Sequence, residues 1–425
     1  MKLLIRNGRV IDPSCGMDET ADILVEDGKI EQVASGIKET ADRVLDADGC
    51  YVMPGFIDLH VHLRDPGFEE KETVVTGARA AARGGYTTIL AMPNTKPAVD
   101  NPDVVRYVHQ KAENLAPVHV LQIGAVTKGQ NGTELADIKG MAEAGSPAIS
   151  EDGKSVMNTE VYRRGMIAAK EAGIPVFAHC EDKDLVCGGV MQEGDRAKEL
   201  GLPGIGNVVE DVIEARDIIL AKSTGVQLHL CHCSTAGSVA LLKAAKADGI
   251  PVTGEACPHH FTLCDEDIPC DDSNYKMNPP LRSRADMEAI RQGLKEDILD
   301  VIATDHAPHT AQEKGQSMKT APFGIVGLET AASLTYSELV LKGYLTPMQM
   351  AAKMSTNPAK VAGLDKGSLQ AGKEADIVIF DPEETYEIHA ADFAGKAKNM
   401  PYEGRKVTGK VQTTIVSGQI VYQSK

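Results

Sequence analysis

What most constrains the fold of this chain is an alternation that runs through its middle. Short apolar runs, each closing on polar residues, are separated by helical stretches rich in Ala, Glu and Lys. The runs are VMPGFIDLHVH (52–62), YTTILAMPN (86–94), VHVLQIGAV (118–126), IPVFAHCED (174–182), VQLHLCHCS (226–234), IPVTGEACPHH (250–260) and LDVIATDH (299–306). Between them, segments such as EARDIILAKSTG and GSVALLKAAKADG carry helical periodicity and a Gly stop. Repeated strand–helix units over about 310 residues predict an α/β fold, a (β/α)8 barrel spanning 54–365, an architecture whose usual size brackets that length. A doubly wound sheet is the alternative. The chain has no Gly-x-Gly-x-x-Gly after a strand and no phosphate loop, so the barrel is preferred.

The two ends read differently. LLIRNGRVID alternates around Asn7-Gly8, a hairpin cue, and ADILVEDGKIEQVAS repeats the pattern around Asp27-Gly28. Near the other end lie ADIVIFD (375–381) and TTIVSGQIVY (413–422), the latter with Ser417-Gly418 at its turn. All-β segments at both ends predict one small β-domain built from residues 1–53 and 366–425.

Composition narrows the partners. Among 425 residues, 44 Lys+Arg stand against 61 Asp+Glu, a net charge of −17. Such a field draws neither nucleic acid nor an anionic membrane, so an anionic small molecule needs a locally cationic pocket. Trp is absent and aromatics are 4%, which disfavours recognition by stacking. Nine cysteines are an odd number without framework spacing, and MKLLIRNGRV is too short in apolar residues for a signal-peptide core. No apolar run approaches the roughly 18 residues of a membrane span. The expectation is a cytoplasmic protein with reduced thiols.

In a barrel the chemistry sits at the C-terminal ends of the strands. The polar residues at those ends are His60, His62, Asn94, Asp152, His179, His232 and Asp305. A strand has period two, so His60 and His62 point to one face, where two imidazoles can share a metal. An isolated His-x-His is more often solvated or packed in a core; the further histidines and two carboxylates at other strand ends change the balance. Four His and two Asp are donors suited to Zn²⁺ or a similar ion. Cys231 and Cys233 flank His232, but no second Cys pair completes a zinc knuckle, so they are read as packing residues, as is His229. His259 and His260 end a strand and could be catalytic; a supporting or loop role is preferred.

The motifs VMPGFIDLHVHLRDPG, GGYTTILAMPNTKP, ISEDG, VFAHCED, HLCHCST, ACPHH, KMNPPLR and ATDHAPH, with NMPYEG near the end, run in this order. Together they resemble the amidohydrolase superfamily, and within it the class I dihydroorotases, cyclic-amide hydrolases of pyrimidine synthesis. The resemblance covers essentially the whole chain. It implies reversible cyclisation of N-carbamoyl-L-aspartate to L-dihydroorotate, with one or two zinc ions and a binuclear site favoured. His60, His62 and Asp305 would bind one zinc, His179 and His232 the second, and Asp152 would bridge them. Two cations about 3.5–4 Å apart activate water at neutral pH. Asp305 would be general base, then acid. Arg64, Asn94 and His309 would hold the substrate carboxylate, with Asn278 and the backbone of Phe323 and Gly324 on the ring amides.

Hydantoinases, allantoinases and class II dihydroorotases resemble this chain but bridge their metals with a carboxylated Lys. Here the strand end reads Ser150-Glu151-Asp152-Gly153; Lys139 lies upstream and Lys154 beyond it. A hydantoinase-like or allantoinase-like amidase is therefore the second reading. A third is an inactive scaffold for aspartate transcarbamoylase, which predicts missing ligands, whereas all six are present. A homodimer and transcarbamoylase association are left open. The polar, aperiodic segment 306–322 reads as a loop able to close over substrate with His309.

Overall fold

The computed structural model describes residues 2–424; Met1 and Lys425, the outermost residues of the predicted terminal segments, lie outside the described residues. The two ends of the chain form one eight-stranded sheet. Its order is Gln419–Gln423, Lys406–Val416, Ile377–Glu387, Tyr51–Pro54, Lys2–Asp12, Met17–Glu26, Lys29–Ala34, with Arg43–Asp46 also paired to Lys2–Asp12. N- and C-terminal segments meet where Ile377–Phe380 pairs antiparallel with Pro54–Tyr51. Leu3, Ile5, Val10, Ile23, Val52, Ile377 and Ile415 fill the core beneath it.

Two of the three predicted turns form. Asp27-Gly28 and Ser417-Gly418 each join adjacent antiparallel strands with positive φ at both residues (49° and 81°, 47° and 75°), the geometry two-residue hairpins favour. Asn7-Gly8 does not turn the chain. Lys2–Asp12 is one strand, and the pair sits at a register shift between Ile5 and Gly8. Asn7 takes φ 63° there, and a Cβ on Gly8 would fall 2.3 Å from Val52. Asn-Gly supplies the same φ > 0 freedom to a bulge as to a hairpin, so the dipeptide alone does not distinguish them.

The middle of the chain alternates parallel strands with helices. Phe56–Val61, Tyr86–Ala91 and His119–Gln122 form one parallel set. Gly124–Ala125, Ile149–Ser150, Val176–Ala178, Leu228–Leu230, Val252–Ala256 and Val301–Ile302 form another. The run 52–62 is two strands rather than one. It leaves the terminal sheet at Pro54 and starts the central set at Phe56. Gly55 makes the step where the backbone crowds Thr87: a Cβ would lie 2.2 Å from its side chain. His62 N–H donates to His306 O (2.8 Å), Val61 bridges His306 in parallel, and Asp58 accepts from Thr304 N–H (3.1 Å). The last strand segment is thus tied to the first. Outside them, the helix Val208–Thr224 ends on left-handed Gly225, and Ala236–Ala247 begins at the Thr235 cap.

No helix among the described residues is long and apolar enough to cross a membrane.

Candidate active site

The strand ends deliver four imidazoles and two carboxylates to one buried point. His60 Nε2 lies 3.1 Å from Asp152 Oδ1 and 3.4 Å from Asp305 Oδ1; His62 Nε2 lies 3.0 Å from Asp305 Oδ1 and 3.5 Å from Asp152 Oδ2. Both Nε2 atoms face the same two carboxylates, as the period-two reading of His60 and His62 requires. On the other side His179 Nδ1 stands 2.8 Å from His232 Nε2 and 3.6 Å from Asp152 Oδ1. Asp152 therefore sits between the two histidine pairs. His232 and Asp305 both have φ > 0 (36° and 47°), an uncommon conformation for such residues that aims each side chain back into the cluster.

The donor set fits a metal. In each of the sets His60–His62–Asp152, Asp152–His179–His232 and His60–His232–Asp305, the ligand atoms lie within 4.8 Å of one another. His60 Nε2, Asp152 Oδ1 and His179 Nε2 are buried without a hydrogen-bond partner among the described residues. Orphaned buried donors and acceptors are costly, and a cation among them removes the cost. Electrostatics agree. Burial alone would raise the Asp305 carboxyl, but His60 and His62 outweigh it and hold it below the usual range. Burial and the facing His179 push His232 down to about 3, so this imidazole stays neutral, as a ligand must.

Residues missed at the sequence level support these side chains. Glu255 Oε1 accepts from His60 Nδ1 (2.8 Å) and from the His232 backbone N–H (3.1 Å), and its Oε2 faces His229 Nε2 (3.0 Å). One carboxylate thereby fixes the His60 tautomer with Nε2 toward the cluster. It lies inside VTGEA, where a Glu in a buried strand was the available signal. His229 is satisfied by Glu255 and Thr253, in keeping with a packing role. Cys233 is buried among apolar residues, whereas Cys231, packed with apolar neighbours on one side, also brings its sulfur within 4.8 Å of the ligand atoms of His60 and Glu255. Cys257, His259 and His260 also come within 4.8 Å, but burial drives the Cys257 thiol up and keeps it protonated, and His260 Nε2 faces Pro279 O (3.0 Å).

A cavity of about 330 Å³ opens over the cluster. His62, Asp152, His179 and Asp305 line it, together with Arg64, Asn94, Asn278, His309, Phe323 and Gly324. Asn94 connects the two groups: its Oδ1 meets His62 Nδ1 (2.9 Å) and its Nδ2 donates to Asp152 Oδ2 (3.1 Å). Arg64, another residue with φ > 0 (61°), donates from Nε to Pro308 O (3.2 Å) and stands beside His309. Asn278 donates to Glu181 Oε1 (2.8 Å). Gly324 lines the cavity, but its N–H is taken by Lys276 O and its carbonyl by Lys314 and Asn399. Lys154 is exposed and donates to Gln130 O, and Lys139 is exposed beside Glu143. Neither lysine reaches the cluster.

Comparison with known proteins agrees with this picture. A Dihydro-orotase-like family model matches residues 49–238, and an Amidohydrolase family model matches 322–422. The dihydroorotase of Pelotomaculum thermopropionicum is 50% identical over 100% of this chain and 99% of its own length. That of Citrifermentans bemidjiense is 47% identical over the full length of both. Among solved structures, an L-hydantoinase from Arthrobacter aurescens superposes with a TM-score of 0.88 at 26% identity, covering 99% of this chain and 96% of that one. A dihydropyrimidinase from Brevibacillus agri gives 0.86 at 27%, covering 100% and 95%. The chain belongs to the dihydroorotase family.

Proposed function

We propose that the chain is a zinc-dependent dihydroorotase that interconverts L-dihydroorotate and N-carbamoyl-L-aspartate. The observation that carries this reading is the shared cavity, which a metal-type cluster with Asp305 lines together with Arg64, Asn94 and His309. Under it, residues 54–365 close as a (β/α)8 barrel, with 1–53 and 366–425 as the β-domain. The ties from His62 and Asp58 to His306 and Thr304 support closure.

His60, His62 and Asp305 would hold one zinc ion, His179 and His232 a second, with Asp152 between. Bound zinc supplies Lewis-acid chemistry, polarising the amide carbonyl and acidifying water. Asp305 takes the proton of the attacking water on a carboxylate oxygen and returns it to the leaving ring nitrogen. Arg64 pairs with the substrate carboxylate by charge-assisted hydrogen bonds, and Asn94 and His309 orient it. Asn278 and the Phe323–Gly324 wall position the ring. Water loss from this cavity strengthens each of these contacts.

The similarity to hydantoinases favours one competing reading, a cyclic amidase for uncharged rings. The two differ at Arg64. An unpaired, desolvated Arg facing dihydrouracil forfeits its bonds, so selectivity for dihydroorotate of about 10³-fold or more in kcat/KM is expected. Measuring both rings with wild type and Arg64→Ala decides. Equal use of the rings by wild type would favour the hydantoinase reading, and selectivity that survives Arg64→Ala would remove Arg64 from the role.

A further inference from the structure

Two motif residues outside the metal-type cluster converge on Asn278: Glu181, from the run 174–182, and His260, from the run 250–260. Asn278 lines the substrate cavity, and the other two hold it there. His260, 2% exposed, donates from Nε2 to Pro279 O (3.0 Å) and fixes the backbone next to Asn278. Glu181 fixes the side chain: its Oε1 accepts from Asn278 Nδ2 (2.8 Å). Glu181 is itself anchored. Its backbone N–H donates to Ser155 Oγ (3.0 Å), and that buried hydroxyl donates on to His179 O (2.8 Å).

The bond to Glu181 decides which end of the Asn278 amide the cavity meets. An Asn amide has a donor end and an acceptor end, exchanged by a half-turn about its last side-chain bond, whereas a carboxylate only accepts. Glu181 therefore takes the NH2 group and leaves Oδ1 for the cavity. Turning the amide over would set two oxygens against each other at the same 2.8 Å. The second oxygen of Glu181 stands 3.6 Å from His179 Nε2, beyond hydrogen-bond reach, so the short contact of this side chain is the one to Asn278. With the Glu181 side chain 15% exposed, little solvent screens the pair.

We propose that Glu181 is a positioning residue that sets Asn278 as a hydrogen-bond acceptor, so that this edge of the cavity reads a ring N–H rather than a ring carbonyl. That Asn278 meets the ring rests on the dihydroorotase reading; the direction in which its amide points rests on Glu181. Both the closed ring and the opened ureido acid carry N–H groups, so the contact is available on either side of the reaction. It is made in the ground state and the transition state alike, and its loss shows in KM more than in kcat.

The test is a four-member cycle on the metal-loaded, full-length protein: wild type, Glu181→Gln, Asn278→Asp and the double variant. For each, kcat and KM for dihydroorotate, metal content and thermal melting are measured. Glu181→Gln offers Asn278 a donor as well as an acceptor, so the amide is free to turn over. KM should rise at least about 10-fold with kcat within about 3-fold, the scale of one hydrogen bond to a charged group that acts on binding. Asn278→Asp sets two carboxylates against each other and should lower kcat/KM at least about 10²-fold. Adding Glu181→Gln to Asn278→Asp should recover at least about 10-fold of that loss. The amide at 181 then donates to the carboxylate at 278, an acceptor again faces the cavity, and the total charge is that of wild type. Glu181→Gln thus harms one background and helps the other, which a role in packing or in holding His179 would not produce. An unchanged KM in Glu181→Gln overturns the proposal, as does a loss confined to kcat or to metal content. So does a double variant no better than Asn278→Asp, the result expected if Asn278 donated to the ring. Should Asn278→Asp fail to melt cooperatively, the KM of Glu181→Gln decides. If wild type turns over dihydrouracil in place of dihydroorotate, the substrate reading fails, and the same cycle on that ring, which carries the same N–H groups, decides the role of Glu181.

Discussion

At the residue scale, the proposed mechanism rests on two carboxylates in different surroundings. Asp305 faces the open cavity and His62, whereas Glu255 is fully buried behind His60. Asp305→Asn should retain most of the metal, because His60, His62 and Asp152 remain, but it loses the proton carrier. A fall of at least about 10²-fold in kcat is expected, the scale of a general acid–base group. Stopped-point assays with metal content measured on the same sample check it, and a variant within a few-fold of wild type would remove Asp305 from that role. Glu255→Gln should act the other way round. It leaves Asp305 in place but lets His60 choose its tautomer, so metal affinity should drop about 10–100-fold, read by competition with a chromophoric chelator. The alternation of VTGEA places Glu255 on a strand and no more; that it meets two strands at once is a fact of packing.

Among the elements, the segment 306–322, whose polarity predicts a loop able to close over substrate, is held by partners from several distant parts of the chain. Ala311–Lys314 forms a short helix with a capping box from Thr310, and Asn399 holds the carbonyls of Ala307 and Gly324. Lys276 donates to Ala321 O and lies 4.2 Å from the Phe323 ring centroid, while Lys314 holds Pro322 and Gly324. None of these partners is local in sequence to a pattern that announces them. Burial, reinforced by the charge of Lys276, pushes the Lys314 ammonium from its ordinary 10.5 down to about 7, with Asp272 and Glu313 opposing weakly. The unfolded chain therefore binds more protons than the native one between about pH 7 and 10.5, and native stability rises with pH across that window, by at most about 1.4 kcal/mol per unit. Lys314→Met removes the effect. The stability difference between wild type and Lys314→Met should move in favour of wild type from pH 7 to 9.5, followed by thermal unfolding in anion-free buffer. A difference that stays flat would show that Lys314 remains fully charged in the fold.

For the whole molecule, the metal-type cluster is laid on an architecture that has its own cores. Apolar residues pack continuously through the central strands and helices, and a separate set packs under the terminal sheet. Removing metal with a chelator should therefore abolish turnover while circular dichroism and cooperative melting persist, unlike a zinc finger; Zn²⁺ should restore activity. Full activity in a preparation shown to be metal-free would sink the mechanism. The sequence by itself determined the strand–helix alternation, the β character of both ends and the six ligand-type residues, because these follow from period, turn chemistry and position at strand ends. It did not separate a bulge from a hairpin at Asn7-Gly8, nor divide 52–62 between two sheets at Gly55, since both depend on which distant strand lies alongside. Only the tertiary structure decided that Glu255 serves His60 and His232 together, that Lys154 stays clear of the cluster, and that the Lys314 amine is buried against three carbonyls. Each is a matter of long-range packing and burial, through which the same side chain acquires a partner, a dielectric and a pKa that no local pattern encodes.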